Sequence, residues 1–215
     1  MKMVRYKQIL AAACVFAALG ASNVAAAETT LNENDLVIDK TVTVIGDQVL
    51  PDSAELAKVE EARTGSIEVV LTDGKAGTNK SNVMFSCQKV AEIVHGEYVM
   101  KDSYKKSEVD LNPIENANDL KTAAEKLITT AGESTSAVPT DADGFVTFKN
   151  LEVGVYLIYA QDTETYDTVE PSLIAVPTWN DSEGEMQYDV MIAPKHTEKP
   201  EKEDNVAPQT SLQEN

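Results

Sequence analysis

Residues 140–158 read TDADGFVTFKNLEVGVYLI, and this stretch decides the fold. Asp143-Gly144 is a turn dipeptide that tolerates a positive φ. Apolar and polar side chains then alternate from Phe145 to Lys149 with the period of two that a β-strand requires. Residues 151–154 turn the chain again, and residues 155–158 are strong strand formers. The stretch therefore predicts a β-hairpin.

Further strands are predicted on both sides of this hairpin. They cover residues 65–71, 83–93, 171–176 and 188–192, and in the last of them Tyr188, Val190 and Ile192 occupy alternate positions. Taken together, the alternation predicts a core with these inward positions: Ile67, Val69, Phe85, Cys87, Val146, Phe148, Tyr156, Ile158, Ile174, Val190 and Ile192.

One helix interrupts the β pattern, at residues 119–130. Its apolar positions follow helical spacing: Leu120, Ala123, Ala124, Leu127 and Ile128. Asn116 or Asn118 is the predicted N-cap, Asp119 lies favourably in the first turn, and Gly132 ends the helix. The preceding residues 101–118 are polar and predict an irregular segment.

The two ends of the chain differ from the middle. Residues 1–27 have a basic start, an apolar run and a small-residue site, which predicts a signal peptide cleaved between Ala27 and Glu28. Residues 28–63 predict a partly ordered extension with two strand-like runs and a short helix that Ser53 caps and that continues through Arg63. Residues 197–215 are rich in Glu, Lys and Pro and predict a disordered tail.

Charge and composition restrict the function. Removing the three basic residues of the signal peptide leaves 15 basic against 36 acidic residues, a net charge of about −21. Such a surface repels nucleic acid and anionic lipid. After cleavage Cys87 is the remaining cysteine, so no intrachain disulfide is predicted. The sequence has no phosphate loop, no metal-spaced His or Cys set and no nucleophile elbow, so neither an enzyme nor a cofactor or metal site is expected.

Four ordered blocks carry a family resemblance. The central block has Asp141, Gly144, Val146, Phe148, Leu151, Gly154, Tyr156 and Leu157, and it is joined by residues 65–69, by residues 83–85 with 89–91, and by residues 188–195. In this set the chain resembles the N-terminal domains of Gram-positive pilins, relatives of the prealbumin-like B-type repeats of collagen-binding proteins. The resemblance covers residues 65–196 and implies an Ig-like, prealbumin-type antiparallel β-sandwich with one inserted α-helix.

The resemblance also implies a crosslinking lysine. Shaft pilins of this family end the domain with Trp-x-x-x-Val-x-Val-Tyr-Pro-Lys, whose lysine attacks a sortase-bound thioester. Val190, Ile192, Pro194 and Lys195 match this motif in spacing, Ala193 replaces its tyrosine, and Met186 or Gln187 stands near the place of its tryptophan. Trp179 lies further upstream and matches only if a loop is inserted. The Lys195 amine must lose its proton to attack, and a partly desolvated site or a nearby carboxylate acceptor favours this. Asp189 or a loop glutamate is the candidate acceptor.

A second family feature is a Leu-Pro-x-Thr-Gly sorting signal. Residues 207–211, APQTS, resemble it and make Thr210 the candidate acyl donor, although Ala207 and Ser211 depart from the pattern. Many such domains also contain an internal Lys–Asn isopeptide bond. The first and last strands supply no such pair here, and Lys40 in the extension is the remaining lysine candidate.

The resulting expectation has four regions: signal peptide 1–27, extension 28–63, β-sandwich domain 64–196 and tail 197–215. The expected function is an exported, non-enzymatic structural pilin subunit of a cell-wall fimbria, joined by sortase through Lys195 to other pilin subunits or to itself. Host surface ligands are further possible partners. The alternatives are a monomeric cell-surface adhesin that is never polymerised and an accessory domain of an extracellular enzyme.

Overall fold

The structure is a computed structural model that describes residues 49–131 and 136–200. The helices in these residues are α1 (Ser53–Leu56) and α2 (Ala117–Thr130), with a 3₁₀ helix at Asp102–Ser107. The strands of the same residues are β1 (Thr64–Val70), β2 (Met84–Val94), β3 (Glu97–Met100), β4 (Val138–Pro139), β5 (Phe145–Glu152), β6 (Gly154–Ala160), β7 (Thr168–Val169), β8 (Ser172–Val176), β9 (Thr178–Asn180), β10 (Glu185–Gln187), β11 (Asp189–Ile192) and β12 (His196–Thr197).

Two sheets of the described residues form the sandwich. The first has the order β11-β1-β5, and the second has the order β3-β2-β6-β8, with β4 also paired to β2. Short ribbons β9–β10 and β7–β12 lie outside these sheets. The predicted β-sandwich with an inserted α-helix is confirmed, and most strand pairs are antiparallel.

One pair departs from the antiparallel pattern. β1 and β11 run parallel, with Ser66 opposite Asp189 and Val69 opposite Ile192. The backbones approach closely at Gly65, where a Cβ atom would lie 2.0 Å from the carbonyl oxygen of Tyr188. A side chain at this position would therefore force the two strands apart.

The inter-sheet core confirms the predicted inward positions. All eleven belong to it, and Cys87 and Phe148 are the two that are only partly buried. The core also takes in Leu71, Val83, Tyr166 and Val176. Period-two alternation was sufficient here because each of these strands turns one face to the opposite sheet.

A second core, on the helix side, was not predicted. The apolar face of α2 packs against the outer face of the second sheet, so β6 and β8 are buried on both faces, as at Leu157 and Leu173. Residues 101–118 contribute Tyr104 and Leu111 to this core. As predicted, the segment is mostly irregular, with only the 3₁₀ helix before α2 begins at Ala117, but its isolated apolar residues reach the sheet that α2 covers.

Some of the residues at which the observed helices begin and end differ from the predicted ones. Asn116 caps α2 through its Oδ1, which accepts from the amides of Asn118 and Asp119 at 3.0 Å, so α2 begins at Ala117. The predicted stop, Gly132, lies outside the described residues. Asp52, not Ser53, caps α1 in a capping box with Glu55. This short helix ends at Leu56, well before Arg63.

The central stretch forms both predicted strands but not the hairpin. β5 pairs with β1 in the first sheet, whereas β6 pairs with β2 and β8 in the second. The chain therefore crosses from one layer to the other at Val153-Gly154. Gly154 is required there because a Cβ would lie 2.6 Å from the carbonyl oxygen of Ala91. Alternation predicts a strand but does not say which neighbour it pairs with, and this is why the hairpin prediction was wrong.

Candidate functional site

Lys195 follows the last strand of the sandwich sheets. Ile192 at the end of β11 is 1% exposed, and Pro194 is buried. Lys195 itself is exposed, and its carbonyl oxygen accepts a hydrogen bond from the amide of Glu170 at 2.8 Å. The backbone is thus held on the N-terminal side by burial and at Lys195 by the chain that leads into β8.

A groove of about 250 Å³ lies beside this lysine. Its walls come from three places: the first turn of α2, the start of β8 and the end of β11. Apolar side chains line its depth (Leu120, Leu173, Ile174 and Ile192), and charged residues stand at its edge (Lys121, Glu170 and Lys195). The arrangement can hold a short extended peptide next to an amine.

The charged edge has a defined ion pair. Lys121 Nζ on α2 lies 2.8 Å from Glu170 Oε1, so the two walls of the groove are linked across its mouth. Asp189 is placed differently. It stands at the opposite end of β11, does not line the groove, and accepts a hydrogen bond from Ser66 Oγ at 2.7 Å. Of the two carboxylate candidates, the loop glutamate is therefore the one in the groove.

His196 is held on the other side of the chain from Lys195. Its Nδ1 lies 2.9 Å from Asp167 Oδ2, and its Nε2 lies 2.7 Å from Thr72 Oγ1. The Asp167 side chain is 3% exposed and that of His196 is 13% exposed. Sequence reasoning assigned no role to His196 and named a loop glutamate without choosing Glu170, since the partners of both residues are distant along the chain.

Trp179, the more distant candidate for the motif tryptophan, lies in the two-stranded ribbon formed by β9 and β10. Trp179 on β9 lies directly opposite Met186 on β10, across a turn at residues 181–184. The indole is therefore brought beside the position where the motif places a tryptophan. The turn at residues 181–184 separates Trp179 from this position along the sequence, and the match of Trp179 to the motif stays a prediction.

Several predicted residues lie outside the described part of the chain: Ala27, Glu28, Lys40 and Thr210. Within residues 49–131 and 136–200, no helix has the length and apolar character needed to cross a membrane. The same residues contain no group of three or more His, Cys, Asp or Glu side chains suited to a metal ion.

Comparison with known protein families identifies the family of the chain. The model described as Gram-positive pilin subunit D1, N-terminal domain, matches residues 32–197. The chain belongs to this pilin family. The predicted resemblance to the N-terminal domains of Gram-positive pilins is thereby confirmed. A comparison with curated proteins gives no significant match to this pilin.

Solved pilins are similar to the chain over part of their length. FimP of Actinomyces oris is 20% identical, with a TM-score of 0.46 over 66% of this chain and 31% of FimP. The major pilin SpaD of Corynebacterium diphtheriae is 24% identical, with a TM-score of 0.42 over 66% of this chain and 32% of SpaD. SpaA of the same organism is 20% identical, with a TM-score of 0.39 over 62% of this chain and 30% of SpaA. This pilin thus spans about a third of the length of these proteins.

Proposed function

We propose that the chain is a structural subunit of a cell-surface pilus, joined covalently to its neighbour through Lys195. The observation that carries the proposal is the position of Lys195 at the edge of an apolar groove, on a backbone held by Pro194 and Glu170. An amine used for crosslinking must reach an acyl group held by another protein. Exposure of the side chain lets the amine reach this acyl group, and restraint of the backbone holds the amine in a defined position.

The proposed reaction is an acyl transfer. A sortase holds the acyl group of a second subunit as a thioester, and the neutral amine of Lys195 attacks its carbonyl carbon. An amide C–N bond forms and the C–S bond breaks. The proton that the amine loses balances the proton that the leaving sulfur takes up.

Glu170 is the carboxylate best placed to assist. It lines the groove with Lys195, and its backbone amide binds the Lys195 carbonyl. Its ion pair with Lys121 fixes the direction of its carboxylate. We infer that Glu170 helps to remove the proton from the incoming amine. General-base catalysis of this kind typically raises a reaction rate by roughly 10²- to 10⁴-fold.

The ends of the chain complete the proposal. Cleavage between Ala27 and Glu28 releases the exported subunit, residues 64–196 form the sandwich domain, and Thr210 in APQTS is the acyl donor that a sortase recognises. The proposed location is the cell wall. The proposed partners are a sortase and other pilin subunits, and host surface ligands are a further candidate class.

The deciding experiment is an immunoblot of cell-wall extracts, boiled in detergent, from cells that express the full-length gene. Lys195→Arg keeps the positive charge but removes the amine nucleophile, and Lys149→Ala changes an exposed strand lysine as a matched control. We expect a ladder of high-mass bands in the parent and in the control, and its loss in Lys195→Arg.

The other outcomes separate the alternatives. A ladder that persists in Lys195→Arg would keep the pilus subunit and remove Lys195 as the acceptor. A single band near the monomer mass in every strain would overturn the pilus proposal in favour of a monomeric adhesin. Thr210→Ala, compared with Thr197→Ala, tests the donor in the same assay, since loss of the ladder is expected only for Thr210→Ala.

A further inference from the structure

The residue after Lys195 makes a buried network that the proposed reaction does not use. We propose that His196, held by Asp167 and Thr72, is a positioning residue that fixes Lys195 at the edge of the groove. These three residues are called the histidine clamp below. The inference rests on the proposed function, because it takes Lys195 as the acceptor.

The clamp ties three separate parts of the chain together. Thr72 follows β1 and is 3% exposed, Asp167 precedes β7 and is 4% exposed, and His196 begins β12. Tyr166 closes the site, because its hydroxyl donates to the Thr72 carbonyl at 2.6 Å and its ring centroid lies 5.3 Å from that of His196. Such a site is built around the imidazole rather than left open to solvent.

The proton positions follow from the partners. The carboxylate of Asp167 also accepts from the amide of Lys75 at 3.3 Å, so it acts as an acceptor, and His196 Nδ1 must carry a proton toward it. In the neutral imidazole Nε2 then accepts from the Thr72 hydroxyl. Both ring nitrogens are thus satisfied in one orientation of the ring.

The order of groups is the same as in a hydrolase triad, with a hydroxyl, an imidazole and a carboxylate in a row. A nucleophile must reach a substrate carbonyl, and Thr72 at 3% exposure does not. The network therefore acts on the fold around it and not on a substrate.

The clamp reaches Lys195 through the backbone. His196 pairs with Val169 and Thr197 pairs with Thr168, so β12 is fastened to β7 directly after the lysine. The next hydrogen bond in the same direction joins Glu170 to Lys195. Because neighbouring side chains of an extended segment point to opposite sides, an inward His196 turns Lys195 outward.

Hydrogen exchange of single amides tests the clamp without any enzyme. The full chain is compared with His196→Ala and with a matched pair, Thr72→Val, which keeps the shape, and Thr72→Ser, which keeps the hydroxyl. We expect exchange of the Glu170 amide to quicken at least about tenfold in His196→Ala and Thr72→Val. Thr72→Ser should stay close to the parent, and the amides of β2 and β6 should not change in any variant.

Ligation tests the consequence for chemistry. A sortase and a Leu-Pro-x-Thr-Gly peptide are given the full chain as acceptor, and the rate is followed against acceptor concentration. A misplacement of about 1 Å can cost 10²-fold, so we expect kcat/KM to fall about tenfold or more in Thr72→Val and to be restored in Thr72→Ser. The peptide binds to the sortase and not to the acceptor, so the KM for the peptide should be the same with every acceptor variant.

The outcomes are distinct. Faster exchange at Glu170 with unchanged ligation, while Lys195→Arg abolishes ligation, would overturn the positioning role and leave the proposed function intact. Unchanged exchange in both His196→Ala and Thr72→Val would overturn the clamp itself. Ligation that continues in Lys195→Arg would remove the proposed acceptor and this inference with it.

Discussion

Trp179 and Met186 face each other across the β9–β10 ribbon, and the Lys58 ammonium lies 3.8 Å from the centroid of the indole ring. This contact joins the segment after α1 to the ribbon that leads into β11. The indole therefore lies beside Met186, near the place that the pilin motif gives to its tryptophan.

Replacing this indole should destabilise the ribbon. Trp179→Ala removes a cross-strand pair and a cation–π contact, each worth up to about 1 kcal/mol, so we expect a loss of about 1–2 kcal/mol in the free energy of unfolding. Urea unfolding measures it. Lys58→Ala, which removes only the cation, is the control and should cost less than about 1 kcal/mol. Equal losses in the two variants would contradict a role for the cross-strand pair.

Gly65 should tolerate no side chain. In Gly65→Ala the new Cβ would lie 2.0 Å from the Tyr188 carbonyl oxygen, which belongs to the backbone and cannot swing away. We expect a loss well above 2 kcal/mol or failure to fold, because β1 and β11 must separate. Gly184→Ala is the matched control, since its Cβ meets nothing within 4 Å and it costs only the left-handed backbone, about 1–2 kcal/mol. Thermal unfolding of the two variants compares them.

The helix-side core should depend on α2. Leu127 is fully buried against the outer face of the second sheet, so Leu127→Ala should lower the free energy of unfolding by about 2–5 kcal/mol. Thr129→Ala lies on the exposed face of the same helix and should change it by less than about 0.5 kcal/mol. A small effect of Leu127→Ala in denaturant unfolding would show that α2 is not part of the folded unit.

Cys87 should be unreactive while the chain is folded. Burial raises the pKa of its thiol to about 12, whereas an unfolded cysteine has a pKa of about 8.5. The thiolate is the reactive form, so at pH 8.5 a disulfide reagent should react at least 100-fold more slowly with native Cys14→Ser chain than with the same chain in urea. The folded state favours the protonated thiol, so its contribution to stability is complete below pH 8.5 and declines as the pH rises toward 12. Rapid native labelling would contradict this.

The inter-sheet core could be predicted from the sequence because its apolar side chains recur at every second position of the strands, as at Val146 and Phe148 or Tyr156 and Ile158. The helix-side core could not. β6 is apolar on both faces, and a run such as Val155 to Ile158 does not state which neighbour covers its second face. For the same reason β5 was wrongly predicted to pair with β6 rather than with β1, because contacts distant in sequence decide which strands pair.

The site was predictable only in part. The resemblance to the pilin motif predicts Lys195, and the residues that carry it, Val190, Ile192 and Pro194, are its close neighbours in the sequence. His196 is adjacent to it, but Thr72 lies 124 residues away and Asp167 lies 29 residues away. No periodicity connects a loop hydroxyl, a loop carboxylate and a strand imidazole, so their meeting becomes visible only when both sheets are in place.

The position of Lys195 after β11 has a mechanical consequence. If subunits are linked at Lys195 and Thr210, tension enters and leaves the chain within roughly 15 residues, and the sandwich lies off the load path. Force would then separate β12 from β7, while the two sheets of the sandwich bear no tension. Pulling a single molecule between these two residues should stretch only that segment, and a rupture that releases the length of the whole sandwich would show that the sheets carry load after all.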